Sequence, residues 1–137
     1  MHELRFILEL LLTTYFCGII GHNRQSRGTP IGLRTHVLVG LSAFLMQAIS
    51  TKYYLINTNG DIMRLAGQFL TGIGFVCSGV IFKGNGSIKG LTTSVSGFLC
   101  GCVGIAIGLG FYFETAMVVL ICYLILADPF KLDNNHT

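Results

Sequence analysis

Asp61, Arg64 and Gln68 are the residues whose types and spacing most readily suggest chemistry, an acid, a base and an amide at i, i+3 and i+7. On a helix these three share one face, so a carboxylate, a guanidinium and an amide meet there. The carboxylate could help coordinate a cation such as Mg²⁺, with Glu9 or Glu114 as a second oxygen donor. Against this, a guanidinium one turn away repels a divalent ion and already offers Asp61 a partner. Asp61 equally suits an N-cap, accepting from the orphan N–H groups where a helix starts, with Arg64 as its surface partner. The sequence supports both readings. Asp61 is the lead candidate it offers for a metal, and it calls for no cofactor.

Other reactive side chains form no catalytic constellation. Cys17, Cys77, Cys100, Cys102 and Cys122 all sit inside apolar runs. A helix turns Cys100 and Cys102 about 200° apart, so one metal cannot bridge them, and the five read as small packing residues. His22 and His36 are too far apart in sequence for a metal motif, and no Ser or Cys has a recognisable base partner. The stretch from Lys83 to Gly90 has a phosphate-loop look, but it lacks the Walker spacing. An enzyme is not expected.

The elements that must position these residues are membrane helices. Of 137 residues, 52% are hydrophobic and 11% charged, with a mean hydropathy of +0.69. Soluble domains carry roughly 25% charged residues. Apolar runs cover 4–21, 36–56, 62–82, 90–109 and 111–127, each near spanning length. The expected fold is an all-α integral membrane protein, one domain over 1–137, a bundle of about five transmembrane helices. Gly108-Leu109-Gly110 is so weakly polar that one kinked segment, hence four spans, is also open. Glu9 within the first run and the lack of an Ala-x-Ala-like site argue against a signal peptide.

Orientation follows from the cations. Arg24, Arg27, Arg34, Lys83, Lys89 and Lys131 fall on one side of a five-span arrangement, and Arg5, Lys52 and Arg64 on the other. The positive-inside rule then places the N-terminus outside and the C-terminus in the cytoplasm. The pI of 8.7 reflects that asymmetry and does not point to nucleic acid. Arg24, Arg27, Lys83 and Lys89 line two cytoplasmic loops, suited to anionic lipid headgroups or to a phosphorylated ligand.

Helical periodicity assigns faces. In the second span His36, Gly40, Ala43, Gln47 and Ser50 align, and in the fourth Gly90, Thr93, Ser94, Gly97, Cys100, Gly101, Gly104 and Gly108 do. Gly97-x-x-x-Gly101 and Gly104-x-x-x-Gly108 predict close backbone packing against another helix. In the third span Asp61, Arg64, Gln68, Thr71, Gly72, Phe75, Ser78 and Gly79 share one arc. That arc is expected to face other helices or water, with Gln47 and Glu9 at the level of its outer half.

Two segments carry a resemblance. Gly32-Leu33-Arg34-Thr35-His36, and Asp61-x-x-Arg64-x-Ala66-x-Gln68 running to Gly72-Ile73-Gly74-Phe75, Gly79-Val80-Ile81 and Gly90-Leu91-Thr92-Thr93, resemble the MgtC/SapB family signatures. The similarity spans roughly Gly18 to Tyr112. It implies a multi-pass protein of the bacterial inner membrane, associated with adaptation to low magnesium. For the family's namesake it implies survival inside macrophages and restraint of the ATP synthase. It also marks Arg34, Thr35, His36, Asp61, Arg64, Gln68, Thr92 and Thr93 as functional candidates. The chain departs from the family at Ile20-Gly21-His22-Asn23-Arg24, where Asn23 replaces the usual acid. It also ends soon after the last run, where the namesake continues into a soluble domain. The expected function is regulatory, exerted through membrane lipids and a membrane partner such as the ATP synthase or a transporter, with room for a homo-oligomer. A transporter or channel for Mg²⁺ or another cation is the alternative.

Overall fold

The computed structural model describes residues 2–29, 31–57, 60–84 and 87–127. Five helices follow the five apolar runs: α1 (His2–Ser26), α2 (Leu33–Ile56), α3 (Arg64–Ser78), α4 (Leu91–Gly108) and α5 (Tyr112–Ala127). A small antiparallel hairpin, β1 (Phe82–Gly84) and β2 (Ser87–Lys89), joins α3 to α4, with Phe82 opposite Lys89 and Lys83 opposite Ile88. It gives the stretch from Lys83 its shape. Lys131 lies outside the described residues.

Two helices end in the same way. After α1, Gly28 N–H donates to Gln25 O at 3.1 Å and Thr29 N–H to Arg24 O at 3.4 Å, with Gly28 at φ 65°. After α4, Gly110 N–H donates to Ile107 O at 2.9 Å and Phe111 N–H to Ala106 O at 3.0 Å, with Gly110 at φ 92°. This paired closure with a left-handed glycine is the Schellman motif, and it satisfies carbonyls the helix leaves orphaned. It therefore makes 108–110 a true turn between two helices.

Successive helices run up and down. Arg5 meets Tyr112, Ser50 Oγ donates to Ile62 O at 2.7 Å and Gly108 abuts Gln47 at one end. At the other, Ser94 Oγ donates to Cys77 O at 2.6 Å and Arg24 reaches Leu126 O. α1, α2 and α4 are long and apolar enough to cross a membrane, while α5 is a shorter apolar helix. At about 1.5 Å per residue, the 15 residues of α3 make the shortest helix, roughly 22 Å.

The core lies where α2 and α4 meet, the most extensive helix pair, with α1 packed on both. Cys17, Ile20, Val39, Phe44, Cys100, Val103 and Ile107 fill it. Glycine sets the closeness of approach. A Cβ on Gly104 would lie 2.8 Å from the Phe44 nitrogen and 2.9 Å from the Ala43 Cβ, nearer still to Gly40 O. On Gly108 it would lie 3.0 Å from the Gln47 Cβ and Cγ. Gly97 and Gly101 are packed more loosely: a Cβ on Gly97 would lie 3.4 Å from Cys77 Sγ of α3, and one on Gly101 would lie 3.7 Å from Val39 of α2 and 3.8 Å from Ile73 and Leu70 of α3.

The third span corrects its expected orientation within the protomer. Ala66 and Cys77 are buried, and Leu65, Phe69, Leu70 and Ile73 are partly so. Arg64, Gln68, Thr71, Gly72, Phe75, Ser78 and Gly79 point away from the other helices. The physical reason lies in α4, whose glycines form a shallow groove that branched side chains such as Leu70 and Ile73 fill better than polar ones.

Candidate functional site

The polar interior is a seam between α2 and α4. His36, Gly40, Ala43, Gln47 and Ser50 are all buried along one stripe of α2, as their spacing predicts. Thr93, Ser94, Gly97, Cys100, Gly101 and Gly104 are buried on α4, with Ser94 and Gly97 turned to Cys77 of α3. Each polar group therefore needs a partner inside the bundle.

His36 is fully buried and held at both ring nitrogens. Nδ1 lies 2.8 Å from Gly32 O, and Nε2 lies 2.9 Å from Ser96 Oγ on α4. A carbonyl only accepts, so Nδ1 carries a proton. Ser96 Oγ also lies 2.8 Å from Thr93 O. One hydroxyl proton serves either Thr93 O or the imidazole, and a neutral ring takes it at Nε2. His36 thus cross-links α2 to α4 one turn from the end where α2 begins. Gly21 of α1 makes room for it, since a Cβ there would lie 2.9 Å from the His36 Cβ.

Toward the other end, Gln47 is fully buried and donates through Nε2 to Thr51 Oγ1 at 3.3 Å. Its Oε1 has no partner among the described residues. Nearby, Arg5 Nε donates to Glu9 Oε1 at 2.8 Å and Arg5 Nη2 to Tyr112 OH at 3.1 Å, while Tyr112 OH donates to Glu9 Oε1. The carboxylate, guanidinium and phenol neutralise and satisfy one another and join α1 to α5. A crevice of about 810 Å³ opens beside them between α1 and α2, lined by Glu3, Arg5, Glu9, Thr51 and Lys52.

The residues expected to act together are dispersed. His36 and Thr93 reach the seam, whereas Arg34, Thr35 and Thr92 are exposed at the same end of the bundle. Asp61 is exposed, and its Oδ1 accepts from Met63 N–H at 2.9 Å, closing the turn that leads into α3. That role is close to the N-cap reading. Arg64 and Gln68 are exposed, Glu9 is engaged by Arg5 and Tyr112, and Gln47 faces α4, so no outer polar cluster forms. Among the described residues no three His, Cys, Asp or Glu side chains are grouped to hold a metal.

The basic residues divide as well. Arg27, Lys83 and Lys89 are exposed. Arg24 is not a loop residue: it lies in the last turn of α1, buried, with Nη2 3.4 Å from Leu126 O and 3.2 Å from Asn23 Oδ1. A guanidinium against a carbonyl at a helix C-terminus is electrostatically favoured, which explains its position better than lipid contact.

Sequence reasoning missed Ser96, because the arc on α4 was drawn through the glycines and Ser96 lies at its edge. It also missed Tyr112 as the third member with Arg5 and Glu9. The i,i+4 spacing of Arg5 and Glu9 was a readable signal, but the phenol comes from 103 residues beyond Glu9.

Comparison with known proteins places the arrangement. A sequence profile described as the MgtC family matches residues 10–134. The chain is 35% identical over 140 residues to a protein of Escherichia coli (strain K12) named "Putative magnesium transporter YhiD", covering 96% of this chain and 65% of that one. It is 35% identical to Protein SapB of Bacillus subtilis (strain 168), covering 79% of this chain and 49% of SapB. It is 33% identical to Protein MgtC of Brucella abortus (strain 2308), covering 75% of this chain and 42% of MgtC. The chain thus spans less than two thirds of the length of these relatives. No solved structure matches. A profile that covers nearly the whole chain, on a bundle of apolar helices, settles its kinship: the chain belongs to the MgtC family.

Proposed function

We propose that this protein is a regulatory component of the bacterial inner membrane, linked to growth at low magnesium and to virulence. It works through lipids and a membrane partner such as the ATP synthase or a transporter, and not by catalysis. The observation that carries this reading is the closed α2–α4 seam. Where Gly40 O and the Phe44 nitrogen meet Gly104, the backbones are in van der Waals contact, which leaves no room for a hydrated path between α2 and α4. His36 and Ser96 close the seam nearer the opposite end by direct hydrogen bonding. The proposed orientation puts Arg27, Arg34, Lys83 and Lys89 at the cytoplasmic surface, where anionic headgroups or a partner can reach them.

Cation transport is the second reading, favoured by the name of the E. coli relative and by the crevice holding Glu3 and Glu9. That crevice also holds Arg5 and Lys52, and Gly108 on its wall is one turn from the packed Gly104. The crevice therefore offers an entering cation no net negative charge, with packed backbone beneath. One paired experiment tests both. Cells lacking the protein are grown at limiting Mg²⁺ with and without a plasmid copy, and the purified protein is assayed for Mg²⁺ flux in proteoliposomes. Rescue of growth with no flux above empty vesicles is expected. Asp61→Asn, which retains an acceptor for Met63 N–H but loses the charge, should weaken rescue. Mg²⁺ flux by the wild type that Asp61→Asn eliminates would establish transport instead.

A further inference from the structure

α3 presents to its surroundings a face that hydrocarbon does not solvate. At about 100° per residue, Arg64, Gln68, Thr71, Phe75 and Ser78 fall on a single outward stripe, flanked by Gly67 and Gly72. Thr71 and Ser78 satisfy their hydroxyls on their own helix, on Gly67 O and Phe75 O. The side chains of Gln68 and Arg64 have no hydrogen-bond partner among the described residues. Gln68 lies one turn into α3, within the apolar run 62–82, and a primary amide turned toward hydrocarbon there costs free energy unless another polar group covers it. The opposite, apolar side of α3 is already occupied by α4 and α2.

We infer that a second copy of this chain covers this face, with the two α3 helices side by side and parallel about a two-fold axis normal to the membrane. Three observations favour a copy over an unrelated partner. First, the charges are self-complementary. The Asp61 carboxylate and the Arg64 guanidinium do not pair within the protomer, yet Asp61 stands in the turn that leads into α3 and Arg64 is the first residue of the helix. In a parallel pair, Arg64 of each copy reaches Asp61 of the other, giving two neutral pairs at the membrane surface. Second, an amide is both donor and acceptor, so Gln68 facing Gln68 of the other copy satisfies both, as a two-fold interface requires. Third, Gly67 and Gly72 have nothing within 4 Å of where a Cβ would stand, which leaves room for a second backbone to approach. Phe75, 82% exposed, then packs against its symmetry mate in place of lipid.

Cross-linking the full chain in native membranes tests this. Thr71→Cys lies at the centre of the stripe, and Ile125→Cys lies on the exposed face of α5 as a control; the wild type reports the background of its own cysteines. Oxidation should give a band at twice the protomer mass for Thr71→Cys and only background for Ile125→Cys. Adding Gly67→Leu and Gly72→Leu to Thr71→Cys should bring the yield down to the control. Open space at both glycines means the protomer tolerates the change, and unaltered thermal melting in detergent would verify that. Three results would overturn the inference: no excess band from Thr71→Cys, a yield indifferent to the two leucines, or a cross-linked band shown by mass spectrometry to contain a different polypeptide.

Discussion

His36 shows how one side chain in a membrane bundle can carry both structure and a functional signature. Its imidazole spans from Gly32 O to Ser96 Oγ, so removing the hydroxyl leaves Nε2 buried with no partner. Ser96→Ala is expected to destabilise the protein by about 1–3 kcal/mol, the cost of a buried unpaired polar atom. Thr92→Ala, exposed four residues away, should change it by less than about 0.5 kcal/mol. Thermal melting of the purified variants in detergent compares the two. His36 was legible in the sequence twice over, from its motif and from its place on the α2 stripe. Ser96 was not, because a serine beside a glycine row has no spacing of its own to announce a partner 60 residues away.

Among the helices, α2 and α4 were read correctly and α3 was turned around. The stripe on α4 is made almost wholly of small residues and that on α2 carries Gly40, Ala43 and Ser50 beside His36 and Gln47, and small residues in a membrane helix favour close packing. On α3 the avoidance of lipid by polar groups does not decide the inner face of a single protomer, because Leu70 and Ile73 occupy the groove on α4. Periodicity identifies two faces of a helix but not which neighbour is available to each. The glycines of α4 grade the closeness of packing finely enough to test. Gly104→Ala should cost about 1–3 kcal/mol through overpacking against the Phe44 nitrogen and the Ala43 Cβ. Gly101→Ala, whose new methyl would sit at ordinary contact distance, should melt within about 0.5 kcal/mol of the wild type. Equal losses at both positions would mean that α4 meets α2 and α3 with the same tightness.

For the whole molecule, the alternating helices put Arg24, Arg27, Arg34, Lys83 and Lys89 at one end and Arg5, Lys52 and Arg64 at the other. Cysteine labelling from each side of sealed vesicles should therefore find Ser26→Cys accessible from the cytoplasmic side and Lys52→Cys from the outside. Reversed access at both would invert the protein in the membrane. The number of helices and their order were legible because long apolar runs leave few alternatives. The pairing of α1 with α5 was not, since nothing local links residues so distant. That pairing is made at both ends, by Arg5 and Glu9 with Tyr112 and by Arg24 with Leu126 O. Arg24 and Leu126 are 102 residues apart, so at ~5–20 residues per second a ribosome takes about 5–20 s to deliver the second after the first. For that interval α1 waits in the membrane with a guanidinium whose carbonyl has not yet been made. Headgroup phosphates at the bilayer surface are the natural interim partner, and they must be given up when α5 inserts. Insertion of α5 is then the step that commits α1 to its final place, and nascent chains stopped before α5 should remain open to rearrangement and to membrane proteases.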